Sequence, residues 1–256
     1  MNRRQLLALA GLAAVVLLAG CGLGPSDIPD DELRENATYD WDVNATATFD
    51  ISRSSYAAVV NVSNSSELEV WRRDPIEGDN PVNLRALQFR FRNGTVVNAT
   101  EANLTATRNQ DRTVIGLPAD EGLVGYTASR GDKQFGTPAF VDGSYEFVLP
   151  PGARVGIPLL SQAGPGGWTS SVEDNRMTVR WANVTRGSVS VRYYLQRDIL
   201  IFGSLAAIMV VAGVVGTLYY KRQLSELEET RKELGLDVET EDDDDFRDDG
   251  PPPGMR

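Results

Sequence analysis

Eight of the 13 asparagines in this 256-residue chain are followed two positions later by serine or threonine. They are Asn36, Asn44, Asn61, Asn64, Asn93, Asn98, Asn103 and Asn183. The triplet Asn-x-Ser/Thr is the acceptor pattern for N-linked sugar. Serine and threonine supply one residue in eight, so composition alone would give fewer than two such triplets. All eight fall between residue 21 and a long apolar run at 199–220, the stretch that a glycosylating enzyme outside the cell would meet. Asn61 and Asn64 are too close for easy double modification, and Asn93, beside Gly94, suits a hairpin tip. Hydrolytic chemistry has less to stand on. The chain has no histidine, so a catalytic triad would lack its usual base. No nucleophile elbow, phosphate loop or dinucleotide fingerprint occurs. A carboxylate pair stays open, because spacing in sequence says little about spacing in a β fold. Asp30-Asp31-Glu32 and the four aspartates at 242–245 lack the alternating ligands and central glycine of a calcium loop, and read as solvated charge. No enzyme, cofactor or metal is expected.

The lone cysteine, Cys21, excludes an intramolecular disulfide and a zinc site built from cysteine and histidine. Its setting gives it another chemistry. Arg3 and Arg4 precede an apolar run at 6–20, long enough for an export signal and short for a membrane span. That run ends in Leu18-Ala19-Gly20-Cys21, which resembles the lipobox of prokaryotic lipoproteins. The resemblance implies cleavage before Cys21 and lipid on its thiol, with residues 1–20 a signal peptide. Residues 21–36, rich in Gly, Pro and acid, then read as a tether.

Residues 199–220, ILIFGSLAAIMVVAGVVGTLYY, carry no charge. As a helix they span roughly 33 Å, close to the ~30 Å hydrocarbon core of a bilayer. Lys221 and Arg222 follow at once, and basic residues collect on the cytoplasmic side, so the expected topology is N-terminal domain outside and C-terminus inside the cell membrane. Gly203/Ala207 and Ala212/Gly216 are small-residue pairs that suit either helix–helix approach or a lipid-facing surface. Leu224, Leu227 and Leu234 mark one face of a short cytoplasmic helix, a candidate docking face, and Gly235 is placed to stop it. The acidic tail that completes residues 221–256 reads as disordered.

Net charge is −11, which argues against nucleic acid as a partner. Basic residues are 22 Arg against 3 Lys. An acidic, lysine-poor chain resembles proteins of salt-loving archaea.

Between these landmarks, residues 37–198 read as one extracellular domain. Apolar residues alternate at 39–51, 56–62, 67–73, 84–92, 95–100, 113–117, 123–129, 144–149, 176–182 and 188–195, the period of half-buried strands. Asn93-Gly94 and Asp142-Gly143 suit tight hairpins, and Asp174-Asn175 suits a turn. No helical period of useful length precedes the apolar run. The expected fold is mainly β: an antiparallel β-sandwich followed by a single transmembrane helix and a short cytoplasmic helix.

The segments YEFVLPPGARV from Tyr145, GPGGW from Gly164, VEDNRMTVRWANVTRGSVSVRYYLQRD from Val172 and GLDV from Gly235, together with the lipobox, resemble a family of haloarchaeal membrane lipoproteins with no known activity. The likeness is clearest over 145–238 and weaker over 37–140. It implies topology and supplies no chemistry. Expected partners are membrane lipid and envelope glycoproteins or another membrane protein. The role expected is a surface envelope or binding component, with a single-span transducer acting through residues 223–234 as the alternative and an exterior carboxylate hydrolase as a third class.

Overall fold

The computed structural model describes residues 26–74, 78–131 and 133–235. The export segment, Cys21 and the acidic tail from 236 lie outside the described residues. The alternating runs form strands that shuttle between two poles, upper and lower. β1 (Ser26–Asp27) enters at the lower pole, and one helical turn, α1 (Asp30–Leu33), follows. The chain climbs to the upper pole and descends as β2 (Ala47–Ile51), rises as β3 (Ser55–Ser63) and descends as β4 (Glu67–Asp74). β5 (Gly78–Pro81) folds back on β4, β6 (Leu84–Phe91) rises and β7 (Val96–Asn98) turns down beside it. Then β8 (Thr105–Arg108) descends, β9 (Thr113–Gly116) rises and β10 (Glu121–Ser129) descends. β11 (Gln134–Pro138) rises, β12 (Gly143–Val148) descends and β13 (Ala153–Arg154) lies at the lower pole. β14 (Gln162–Gly164) rises, β15 (Thr169–Glu173) descends and β16 (Arg176–Val184) rises. β17 (Ser188–Arg192) and β18 (Tyr194–Leu195) descend into α2 (Gln196–Glu233).

The protein is mainly β, with several sheets and one apolar C-terminal helix. An eight-stranded sheet, β15-β16-β12-β2-β3-β10-β6-β7, forms one layer of the sandwich. A five-stranded sheet, β1-β8-β9-β4-β5, and a three-stranded sheet, β11-β17-β14, share its hydrophobic core. The ladders are antiparallel with one exception: β2 and β12 run parallel, with Phe49 opposite Phe147. The cause is the path of β11, which pairs with β17 in the other layer and returns the chain to the upper pole before β12 starts. Asp142-Gly143, expected as a tight hairpin, is therefore a crossover between layers. Asn93-Gly94 does close the β6–β7 hairpin, with Gly94 at φ +88°. Asp174 and Asn175 turn β15 into β16 with φ of +46° and +62°.

Alternation at 39–51 marks one face correctly, but only 47–51 is laddered. Residues 39–45 instead cross the outer face of the sheet. There the Tyr39 hydroxyl donates to the Ala86 carbonyl at 2.6 Å, and the Tyr39 and Trp41 rings lie over Gly125. A Cβ at Gly125 would sit 2.7 Å from both rings, so the absence of a side chain there is what lets them close on the sheet. Residues 26–35, read as part of a tether, are packed too: Ile28 and Leu33 are 2% exposed, and these two anchors bind the segment to the core.

Phe49 sits fully buried at the centre of the core. Its ring meets those of Phe147 at 5.4 Å, Phe135 at 5.5 Å, Tyr56 at 6.0 Å, Phe140 at 6.2 Å and Tyr145 at 6.3 Å. Such offset and edge contacts add to what area burial alone supplies.

Residues through Asp198 form one compact unit, and those from Ile199 a second. The span and the short cytoplasmic helix expected as separate pieces are one uninterrupted helix of 38 residues. Gly235, at φ +64°, ends it as expected, its N–H donating to the Lys232 carbonyl at 3.2 Å. We expect Phe49→Ala to lower the unfolding free energy of the β unit by roughly 3–5 kcal/mol, since a large buried ring leaves a cavity. Val96→Ala, at an exposed site, should stay within ~0.5 kcal/mol. Urea titration followed by tryptophan fluorescence checks both.

Candidate functional site

Strand direction decides where the sequons lie. Asn44 precedes β2, Asn61 and Asn64 close β3, Asn93 tips the β6–β7 hairpin, Asn103 precedes β8 and Asn183 ends β16. All six are at the upper pole, because each sits where a strand begins its descent or finishes its rise. Asn36, after α1, and Asn98, on the edge strand β7, lie on the flank. All eight side chains are exposed, the first requirement of an acceptor. Asn64 and Asn103 adopt φ of +58° and +65°, which asparagine tolerates better than most residues. At the hairpin tip the Asn93 side-chain carbonyl accepts from the Thr95 N–H at 3.0 Å and sets the rotamer of its amide. Two sequon hydroxyls are already engaged. Thr100, partner of Asn98, accepts from Arg34, and Thr46, partner of Asn44, accepts from the Ser144 N–H at 3.1 Å.

The lower pole gathers the chain's connections to its other parts. Ser26 pairs with Arg108 at the low end of β8, so the chain enters here. Ser26 lies five positions after Cys21 in sequence, a reach of at most roughly 18 Å at ~3.5 Å per position. The chain also leaves here. The Gln196 N–H donates to the Gly152 carbonyl at 3.0 Å, and Lys133 Nζ lies 2.6 Å from the Asp198 carboxylate. Residues 196–198 are thus the first turn of α2, bonded to the β unit. That ion pair was not legible beforehand, since its partners are 65 positions apart. Hydrogen bonding to Lys133 holds the Asp198 carboxyl below the usual carboxylate range.

Also at the lower pole, a cleft of about 370 Å³ is lined by Tyr56, Trp71, Arg72, Arg130 and Phe135 among others. Arg130 donates to the Tyr193 hydroxyl at 2.8 Å and stacks on its ring at 5.5 Å. Aromatic walls, two guanidiniums and the Asp74 carboxylate line it together, a mixed-charge surface. Burial pushes the Tyr56 and Tyr126 phenols up, and the Tyr145 phenol up to about 12, so these groups stay protonated near neutrality. Carboxylates on the outer face of the large sheet are held by arginines: Arg176 donates to both oxygens of Asp50, and Arg180 lies 3.4 Å from Glu146. Acids in and just after α1 likewise face a cation, with Arg85 3.7 Å from Glu32 and 3.5 Å from Glu35.

Leu224 and Leu227 are 40% and 59% exposed on one face of α2, and Leu234, 66% exposed, lies in the turn just past its last residue, Glu233. Among the described residues, α2 is the one helix long and apolar enough to cross a membrane.

The class is thereby set: a β-sandwich unit joined to a single apolar helix of membrane-spanning length. A family model described as a family of unknown function, DUF5803, matches residues 43–239, and the chain belongs to that family. The match extends over both halves of the β unit as well as the helix. It begins at Val43, so Cys21 and Asn36 lie outside it. No curated protein matches the chain.

The Lys133–Asp198 pair makes a pH prediction with a defined sign. A carboxyl whose folded pKa is depressed contributes stability above its unfolded pKa, and that contribution disappears as pH falls through the folded value. Lys133→Met should therefore lower the urea midpoint of the β unit at neutral pH. The gap between variant and parent should close as pH drops below about 4, the ordinary aspartate range.

Proposed function

We propose that the chain is a non-catalytic cell-surface lipoprotein and glycoprotein that serves as an envelope or binding component. It is held at one cell membrane by lipid on Cys21, after removal of residues 1–20, and by a single span through residues 199–220. The β unit lies outside the cell and residues 221–256 inside. The observation that carries this reading is the division of labour between the poles. Six sequons stand at the upper pole, while entry from Cys21 and exit toward the apolar run both occur at the lower one. Two membrane attachments at one pole are geometrically compatible with a single bilayer, and sugars at the other keep clear of it. Lys221 and Arg222 support the orientation. The excess of Arg over Lys and the net charge of −11 support a haloarchaeal source and speak against nucleic acid as a partner. Membrane lipid and envelope glycoproteins, or another membrane protein, are the partners that fit. The non-catalytic reading is supported by the absence of histidine from the sequence and by Asp50 and Glu146 being engaged with arginines.

A protease added to intact cells tests the orientation. It should digest the β unit and spare an epitope fused after Arg256. Loss of the epitope without lysis would reverse the topology and remove the glycosylation argument with it.

One observation favours a second reading, the transducer. α2 continues without a break from its first turn, hydrogen-bonded to Gly152, through Glu233. An unbroken helix can pass a displacement to a partner seated on Leu224, Leu227 and Leu234. Crosslinking from native membranes separates the two. On the envelope reading, Leu224→Ser with Leu227→Ser leaves the recovered partners unchanged; loss of a cytoplasmic partner with surface display intact would favour the transducer.

A further inference from the structure

We propose that the lower-pole loop at residues 156–161 inserts into the bilayer surface, with Ile157, Leu159 and Leu160 as its apolar tip. The inference rests on residues 199–220 being a membrane span.

The tip is an anomaly in this molecule. Ile157, Leu159 and Leu160 are 40%, 93% and 48% exposed. Among the described residues of the β unit, the other exposed large aliphatics are Val96 and Val172, each isolated. Three within four positions form a patch, and contiguous exposed apolar surface marks a contact site. The loop is also built rather than loose. At its neck the buried Ser161 hydroxyl accepts from the N–H groups of Gly156 at 2.9 Å and Ile157 at 3.1 Å, and donates to the Ile157 carbonyl at 3.0 Å. The Ser161 N–H closes the same turn at 3.0 Å. Leu159 is held at φ +76°, a left-handed conformation costly for a branched side chain.

Its place in the fold names the occupant. Arg154 pairs with Tyr194 and Gln162 pairs with Arg192, so both stems of the loop are laddered to the strands that lead directly into Ile199. The loop therefore sits at the pole from which the chain continues into its apolar run, and at which Ser26 follows the lipidation candidate Cys21. An exposed Arg192 and a half-buried Tyr194 flank it, the residue types that settle at headgroup level. Three side chains are too few for a stable protein interface, which buries on the order of 1,200 Å² or more. They suit shallow insertion, about 5–10 Å into the headgroup–acyl boundary.

Site-directed spin labelling of the full chain tests this. In a Cys21→Ser background, single nitroxides are placed by Leu159→Cys, Leu160→Cys, Asn93→Cys at the upper pole and Val211→Cys in the span. The protein is reconstituted into phosphatidylcholine vesicles containing phosphatidylglycerol, and collision with oxygen is compared with collision with a water-soluble nickel chelate. All four sites are exposed, and matching circular dichroism confirms that each variant is folded. The oxygen-to-nickel ratio at 159 and 160 should be several-fold above that at 93 and below that at 211. A ratio at 159 equal to that at 93, with 211 in lipid, puts the loop in water and overturns the proposal while the span stands. Protection of 159 from both reagents indicates a protein contact, a second copy included, and overturns it as well. Nickel access at 211 equal to that at 93 removes the span itself, and the proposal with it.

Discussion

Phe49 is the point on which the two layers meet. It sits midway along β2, beside β12 in the only parallel ladder among the described residues, and its ring touches aromatic side chains from β3, β11, β12 and the crossover at Phe140. The parallel pairing exists because the chain spends β11 in the opposite layer. Phe135 of that strand, 5.5 Å from Phe49 and 5.0 Å from Phe147, secures the crossing. A smaller residue at 49 would weaken both the pairing of β2 with β12 and the seating of the second layer.

That topology fixes what each pole can do. Once β2 and β12 descend together, β16 must rise and β17 must descend, so the chain can only leave at the lower pole. β1, antiparallel to the descending β8, enters at the same pole. The upper pole is left with turns that no through-going chain obstructs, and bulky groups there have free solvent around them. The lower pole carries the Lys133–Asp198 pair, the Gln196–Gly152 hydrogen bond and the neck of the loop at 156–161. Arrangements that lie far apart in sequence thus come to one surface through strand direction alone.

Charge on the outer face of the large sheet follows a similar economy. Arg176 and Arg180 on β16 reach Asp50 and Glu146; the first pair is two-pronged, while Arg180 divides its donors between the Glu146 carboxylate and the Asn44 carbonyl. In strong salt their long-range attraction is screened, which leaves the directional hydrogen bonds as the main contribution.

The sequence by itself determined the period-two strands, the Asn93-Gly94 and Asp174-Asn175 turns, the apolar helix and its stop at Gly235. Each of these is a local property, set by the alternation of side chains across a pleat, by residues that tolerate positive φ, or by a run of uncharged residues. It determined the positions of Cys21 and of all eight sequons as well. It could not place residues 39–45 off the ladder, since alternation records which side is buried and not what covers it. Nor could it fold residues 26–35 into the core, where two isolated apolar anchors, Ile28 and Leu33, sit in an acidic stretch. The signal for the loop at 156–161 was present as an apolar GIPLL without alternation, but exposure is a property of the assembled surface. Only the tertiary structure decided that six sequons share one pole and that both ends of the β unit share the other. The physical reason is that strand pairing is non-local: which end of a strand faces which pole depends on partners many residues away, and no local pattern records that choice.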